Sequence, residues 1–297
     1  MLGGEKVNFN LGDKVFTAFN YFILTVITAI VIYPLIYVVS ASISNPELIS
    51  QGKIWFLPKE ITFKSYIKVF QNHNILIGYR NTLIYTSVGT AINLIMSIMI
   101  AYPLSRKDFY GRGVITGFIL VTMFFSGGMI PTYLLVRNLG MLNTIWAVVI
   151  PGAVSVYNVI IMRTFFQSIP EEIRESAEID GSTNINFLIK IVLPLSMPVI
   201  AVMTLFYGVA HWNMFFDALI YLSDSNKYPL QLFLRQMLIQ DVSEMAEKSD
   251  ASLTGHVVEM EGLKHAVVIV ASLPMLILYP FLQKYFVKGV MIGSLKG

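Results

Sequence analysis

The amino-acid sequence predicts an all-α, polytopic membrane protein that forms a single domain over residues 1–297. Hydrophobic residues make up 55% of the chain and charged residues only 13%, whereas a soluble domain typically carries about 25% charged residues. The mean hydropathy is +0.66. Because this composition leaves too little polar surface to cover a globule in water, we expect membrane lipid to cover most of the chain.

Six apolar stretches support this fold class, since each is long enough to cross a bilayer as a helix of about 20 residues. Lys, Arg, Asp and Glu are nearly absent from their centres. Prolines fall inside several of them, which membrane helices tolerate when neighbouring groups satisfy the freed carbonyls. We therefore predict a packed bundle of six transmembrane helices. The predicted spans are 15–41, 80–104, 113–137, 143–166, 194–220 and 263–287.

The short loops between these spans indicate the orientation of the chain. Loop 105–112 contains three basic residues and loop 138–142 contains none. Because basic residues are enriched in cytoplasmic loops, both termini are predicted to be cytoplasmic. The other segments are then a cytoplasmic N-terminal segment (1–14), two external loops (42–79 and 221–262), a cytoplasmic loop (167–193) and a cytoplasmic tail (288–297).

The sequence lacks the residue patterns on which a membrane enzyme would depend. It contains no cysteine, which excludes thiolate catalysis and Cys-ligated metals. The spans contain no paired carboxylates and no HExxH or GxSxG pattern, and the chain has no phosphate loop. The net charge of +3 argues against nucleic acid as a partner. We predict a protein that is not an enzyme, binds no metal or cofactor itself, and depends on a partner for any nucleotide chemistry.

The loop at 167–193 is unusual because it places several carboxylates between two apolar stretches. Ser168 and Glu171 have the spacing of a capping box, which would start a helix at this point. The helical pattern continues to Asp180, and Gly181 is a natural left-handed stop. The loop is therefore predicted to contain a short helix with fixed ends.

A second helix is expected to follow directly, with Thr183 or Asn184 as its cap. On the first helix Ile169, Ile173 and Ala177 share one face at four-residue spacing. Two interpretations stay open at this point. The loop is either an ordinary solvated helix pair, or a rigid docking element with an apolar edge for a groove and carboxylates for basic residues of a partner.

The stretch "ESAEIDGSTNINFLIKIVLPLSMPVI" resembles the EAA motif of binding-protein-dependent ABC importer permeases. The remainder of the chain resembles the maltose-type carbohydrate permeases, through "HWNMFFDAL" (211–219) and the tail "KGVMIGSLKG" (288–297). Two further stretches (124–135 and 151–166) are similar to a subgroup associated with complex oligosaccharides. The motif positions that match are Glu175, Ala177, Gly181, Ile191, Leu193 and Pro194, with Ser176 in place of the usual alanine.

This resemblance implies the ABC type I importer permease fold and a location in the bacterial cell membrane. It implies a second homologous permease subunit, a cytoplasmic ATPase dimer that binds ATP and Mg, and an extracytoplasmic solute-binding protein. The chain would translocate an oligosaccharide by alternating access. The residues expected to couple to the ATPase are Glu175, Ser176, Ala177, Asp180, Gly181, Leu193 and Pro194, and those of the tail that reach it are Gly293, Lys296 and Gly297.

Polar and aromatic side chains within the spans supply the chemistry that binds sugars, since aromatic faces contact sugar C–H groups and amides bind hydroxyls. The alternative for the aromatic residues is anchoring at the membrane interface. His211 is expected to form hydrogen bonds rather than ligate a metal, because no second ligand lies at suitable spacing. The predicted substrate pathway comprises Tyr133, Tyr157, Asn158, Tyr207, His211, Trp212 and Asn213.

A polar stripe along the second span has two interpretations, namely helix packing by small polar residues or lining of the pathway. Its members are Thr82, Thr86, Thr90, Asn93 and Ser97.

Three other functions are alternatives to the import of an oligosaccharide. The same architecture could carry another solute, such as a polyol, a glycerol phosphate or an amino acid. An intramembrane enzyme would need catalytic residues that the spans do not contain. A secondary transporter would be expected to keep buried ionisable groups, and His211 is the single candidate near a span interior.

Overall fold

The computed structural model describes the backbone of residues 11–237 and 253–294 and, within the last helix, the side chains of 258 and 260–280. All regular structure in these described residues is helical. A π-helical turn (Leu188–Val192) and a 3-10 turn (Ser225–Lys227) lie among the α-helices. The helices are α1 (Leu11–Ser42), α2 (Pro46–Ser50), α3 (Lys64–Gln71), α4 (His73–Ser105), α5 (Arg112–Phe124), α6 (Met129–Asn138), α7 (Ile145–Val149), α8 (Val156–Gln167), α9 (Glu171–Ile179), α10 (Asn184–Phe187), α11 (Leu193–Leu195), α12 (Met197–Trp212), α13 (Phe216–Tyr221), α14 (230–237) and α15 (Leu253–Ser294).

The described residues divide into two compact units. The first comprises those of Met1–Gln71 and Gln240–Val270, and the second those of Asn72–Ile239 and Ala271–Gly297. The apolar pattern of the sequence contains no signal for this division, and the single domain over 1–297 stays a prediction.

The first unit is built on α1, whose apolar side chains are exposed along most of its length. Its small core contains Ala41, Ile49 and Ile54. An edge-to-face contact, with ring centroids 5.7 Å apart, joins Tyr37 of α1 to His265 of α15. Since a helix with exposed apolar sides on all faces is stable only in lipid or against other apolar surfaces, this pattern is typical of a peripheral membrane span.

The second unit is built around α4, which packs along both α12 and α8. One buried cluster joins α4 to α7 and α13 through Tyr85, Val149 and Ala218. The other joins the last turns of α4 to α8 and α12 through Ala101, Met162 and Met203. The second cluster also contains residues of α9 and α10, so the predicted cytoplasmic loop rests directly on the helix bundle.

Three helical segments of the described residues are long and apolar enough to span a membrane, or up to five if each of two bent pairs is one span. The predicted spans 15–41, 80–104 and 263–287 each lie within one helix, namely α1, α4 and α15. The predicted external loop 42–79 contains α2, α3 and the first residues of α4, which begins at His73.

The other three predicted spans are not single helices. The helices α5 and α6 meet at 109° across the Gly127-Gly128 break. The helices α7 and α8 are separated at Pro151-Gly152, where proline cannot donate a helical bond. The segment 184–195 meets α12 at 81° at Ser196, and residues 213–215 separate α12 from α13. Hydropathy records the length of an apolar stretch but does not locate its bends, which fall here at glycine, proline and Ser196.

Candidate functional site

The segment between α8 and α9 does not form the predicted capping box. Ser168 ends α8 in helical conformation, and its hydroxyl donates back to the carbonyl of Phe165 (2.7 Å). Pro170 precedes α9 without a side-chain cap, and Glu171 pairs with Arg174 one turn later. The prediction was wrong because the preceding helix extends to Gln167, which leaves the Ser168 hydroxyl facing its own turn.

The end of α9 has the predicted conformation. Gly181 has a φ of +77°, which a side chain would strain. The Gly181 N–H donates to the carbonyl of Glu178 (3.0 Å) and the Ser182 N–H to that of Ala177 (2.8 Å), so two free carbonyls of the last turn are satisfied. The Thr183 hydroxyl then accepts from the Asn186 N–H (3.3 Å) and starts α10. The two short helices therefore form one rigid corner.

The predicted apolar edge of α9 faces the chain itself. Ala177 is only 7% exposed and belongs to the buried cluster that contains Phe166 and Phe187. Ile169 packs against the same cluster. Two of the three residues of this edge are therefore covered by the bundle, whereas Ile173 is 37% exposed, and docking through this edge stays a prediction. A small residue at 177 is required because the helix lies against its own bundle.

A different side of the corner is open. Glu175, Ser176 and Asp180 are exposed, and Ile179 is 86% exposed. Ile179 was missed because it lies outside the face defined by four-residue spacing. Leu193 is half-buried and Pro194 is exposed, and both lie in α11, directly after the π-helical turn. Of the predicted coupling residues, those of α9 and Gly181 form the corner, whereas Leu193 and Pro194 lie where the chain enters α12.

An ion-pair network joins the corner to the end of α4. Arg106 donates from Nε and Nη2 to the two carboxylate oxygens of Asp108 (2.9 and 2.7 Å) and from Nη1 to Asn184 Oδ1 (3.1 Å). It also lies 3.7 Å from Glu178. Arg174 pairs with Glu171 and Glu178 on its own helix and lies 4.0 Å from Asp108.

This network ties the loop 105–112 to both α9 and α10. The Arg106 guanidinium donates two hydrogen bonds to Asp108 and lowers the pKa of that carboxyl to about 2. Pairs of this bidentate geometry are stronger than single ionic contacts. The sequence did not indicate the network, because Arg106 and Glu178 lie far apart in the chain and only the fold brings them together.

Several predicted pathway residues make contacts between helices. The Tyr207 hydroxyl and Ser97 Oγ are 2.7 Å apart, and the Trp212 indole donates to the carbonyl of Ala271 (3.0 Å). Both rings are almost fully buried, as is Asn158. Tyr133 stacks on Tyr221 with centroids 6.3 Å apart.

His211 forms a close contact between α12 and α4. Its Nε2 lies 2.6 Å from Asn93 Oδ1. The ring also lies against Gly89, where an added Cβ would come within 2.5 Å of Nε2. Asn93 in turn donates to the carbonyl of Gly152 (2.7 Å). These contacts favour the packing interpretation of the polar stripe, whose Thr82 hydroxyl likewise accepts from the Leu230 N–H (2.9 Å).

The exposed pathway candidates lie apart from this packing. Tyr157 is 57% exposed. Asn213 is exposed and accepts from the side-chain amide of Gln231 (3.3 Å). Both amides line a cavity of about 580 Å³, together with Trp212 and Tyr279. Gln231 was missed because it lies in a segment predicted to be an external loop.

Two of the three tail residues predicted to contact the ATPase lie outside the described residues. Gly293 lies in the last turn of α15, whereas Lys296 and Gly297 lie outside the described residues.

Comparison with known proteins identifies the family. Residues 75–292 match the family described as "Binding-protein-dependent transport system inner membrane component". The chain belongs to this family. The chain also has the predicted permease fold. It superimposes with a TM-score of 0.85 on a chain from the "Crystal structure of a bacterial ABC transporter involved in the import of the acidic polysaccharide alginate". The two chains are 32% identical, and the match covers 94% of this chain and 99% of the other.

Two curated relatives from Bacillus subtilis (strain 168) are similar over nearly their whole length. Protein LplC is 42% identical over 284 residues, which cover 96% of each chain. The "Polygalacturonan/rhamnogalacturonan transport system permease protein YtcP" is 39% identical over 285 residues, which cover 96% of this inner membrane component and 99% of YtcP. The family and fold expected from the EAA motif are thereby confirmed.

Proposed function

We propose that this chain is one of two permease subunits of an ATP-driven importer and that it translocates an oligosaccharide by alternating access. The family itself depends on a binding protein. The substrate class is supported by the similarity to an alginate importer and to a permease named for polygalacturonan and rhamnogalacturonan. Both termini are cytoplasmic in this proposal, and an extracytoplasmic solute-binding protein delivers the sugar on the other side.

The observation that carries the coupling role is the rigid corner of α9 and α10. Its carboxylates Glu175 and Asp180 are exposed beside Ile179, which is 86% exposed. An isolated apolar side chain in a cytoplasmic segment has no lipid to cover it, and carboxylates around it suit a groove rimmed by basic residues. We assign this surface to the cytoplasmic ATPase dimer, which binds ATP and Mg and performs the hydrolysis.

Force would then pass from α9 to α4. Because Arg106, which directly follows the last residue of α4, donates to Asn184 at the start of α10, a displacement of the corner would move α4 with it. The helices α8 and α12 pack on α4 and would follow. The permease thus changes the relative stability of its inward and outward states and performs no covalent chemistry.

On the substrate side, the cavity lined by Asn213 and Gln231 fits the recognition of sugar hydroxyls. Amides donate and accept together, and the exposed Tyr279 ring supplies an apolar face beside them. Tyr207 and His211 are assigned to the support of α12, since their polar atoms already meet Ser97 and Asn93.

The test is uptake by proteoliposomes that contain the complete importer. ATP-dependent uptake of labelled oligosaccharide is expected, with little uptake of a labelled polyol, glycerol phosphate or amino acid. The variants Asn213→Leu and Gln231→Leu should reduce sugar-stimulated ATP hydrolysis while the complex stays assembled, whereas Asn138→Leu, at an exposed position outside the cavity, serves as the control. Uptake without ATP, or of a polyol or amino acid alone, would contradict the proposal.

A further inference from the structure

The segment between α1 and α4 exposes far more apolar surface than a loop in water carries. Scattered exposed apolar residues are normal, but a contiguous set marks a surface that something covers. Exposed lysines lie between the exposed apolar residues of this segment, namely Lys53, Lys59, Lys64 and Lys68. The large apolar side chains exposed in this interfacial segment (residues 53–71) are Trp55, Phe56, Leu57, Ile61, Phe63, Ile67 and Phe70.

The helix α3 shows how these side chains are arranged. At 3.6 residues per turn, Phe63, Ile67 and Phe70 lie within about 60° of one another around the axis. Ser65 and Val69, which are buried, lie on the opposite side. The helix therefore packs on its own unit with one side and presents a separate apolar stripe outward.

Contacts with α1 show how far the segment folds back along the axis of that helix. The rings of Phe56 and Tyr33 meet edge to face with centroids 5.0 Å apart, and the Ser40 hydroxyl donates to the carbonyl of Phe56 (2.6 Å). Tyr33 precedes the end of α1 at Ser42 by about 13 Å along the helix axis. The Trp55-Phe56-Leu57 turn thus folds back along a helix whose own surface is apolar and exposed.

We propose that the interfacial segment lies in the bilayer surface at which α1 ends. The Trp55-Phe56-Leu57 turn and the outward stripe of α3 enter the boundary between headgroups and acyl chains, and the lysines reach lipid phosphates. Three observations select lipid over a protein partner: the surface continues that of a membrane-spanning helix through Tyr33, aromatic residues dominate it, and lysines flank the apolar stripe as in helices that lie on membranes.

This placement gives the segment a function beyond that of a connection. It would hold the end of α1 at a fixed depth and would make the importer sensitive to anionic lipid at this surface, because lysine–phosphate contacts strengthen with the negative charge of the bilayer. The inference uses the membrane location of the family and is independent of the transported solute.

The chain contains no cysteine, so a spin label on a single introduced cysteine has no background from this chain. The variants are Leu57→Cys and Ile67→Cys, with Lys64→Cys as a control on the same helix and Glu47→Cys as an exposed control on α2. Each is assembled into the full importer in bilayer nanodiscs. Collision rates are measured with oxygen, which concentrates in lipid, and with a nickel chelate, which stays in water.

The ratio of oxygen to nickel collisions is expected to be several-fold higher at positions 57 and 67 than at 47, with position 64 in between. A ratio at 57 and 67 equal to that at 47 would place the stripe in water and overturn the proposal. Loss of collisions with both reagents would show a protein cover, either the second permease or, if the loss requires its addition, the binding protein, and would also overturn it. Sugar uptake measured on the same samples tests the proposed function separately.

Discussion

The substitution Ile179→Ala tests the proposed docking surface. The side chain is 86% exposed, so its contribution to folding is small and nearly all of its burial energy is available to a partner. The change removes three carbon atoms, which at the usual value per buried methylene corresponds to about 2 kcal/mol. If the residue is buried on docking, the affinity for the ATPase should fall about 30-fold.

The assay measures binding of purified ATPase to the assembled permease pair in nanodiscs, followed by sugar-stimulated ATP hydrolysis. The matched control is Ile61→Ala, which truncates an isoleucine of 64% exposure in the predicted external segment. The control should bind the ATPase as the natural chain does. Both variants should keep the unfolding temperature of the natural protein, since neither side chain is buried.

Unchanged ATPase affinity for Ile179→Ala would refute the assignment of the corner as the docking surface. Equal loss in both variants would show instead that the measurement reports general assembly. Ala177→Arg would be a poor test of docking, because Ala177 is buried in the bundle and the substitution should destabilise the chain.

Three further predictions concern the second unit. Gly89→Ala should lower the unfolding temperature, because the new Cβ would come within 2.5 Å of His211 Nε2 and overpacking of this kind costs about 1–3 kcal/mol. Arg106→Gln should reduce sugar-stimulated ATP hydrolysis while ATPase binding is retained. The control Lys107→Gln, at an exposed neighbouring position, should leave both hydrolysis and binding unchanged. Loss of ATPase binding in Arg106→Gln would exclude a purely transmitting role. The lowered pKa of Asp108, about 2 against an ordinary 3.8, means that its pair with Arg106 contributes fully above pH 3.8 and is lost as the pH falls toward 2. Acid unfolding of Asp108→Asn should therefore lack this component, and identical acid unfolding curves would contradict it.

The elements that the sequence predicted well are those decided by local chemistry. The spans at 15–41 and 80–104 lie in unbroken helices because apolar length alone determines them. Gly181 adopts the left-handed conformation, and Thr183 caps the next helix, since both depend on residues within one turn.

The elements that were predicted wrongly depend on contacts between distant residues. Ser168 has the right neighbours for a capping box, but the extent of α8 decides where its hydroxyl points. The burial of Ala177 in the bundle could not be recognised from spacing either. The pathway role of Tyr207 and His211 stays a prediction, and their hydrogen bonds to α4 were likewise beyond the reach of the sequence.

In the proposed mechanism, the contacts of α4 connect the coupling surface to the helices of the pathway. At its end, Arg106 reaches Asn184 of α10. Near its middle, Asn93 meets His211 of α12 and the carbonyl of Gly152 before α8. Within the membrane no water is available to replace the hydrogen bonds of Asn93. We therefore expect these bonds to be kept when the helices move. If the ATPase moves α9 as proposed, the movement would reach α8 and α12 through these hydrogen bonds, and we expect these helices to bend beside Pro151 and Ser196.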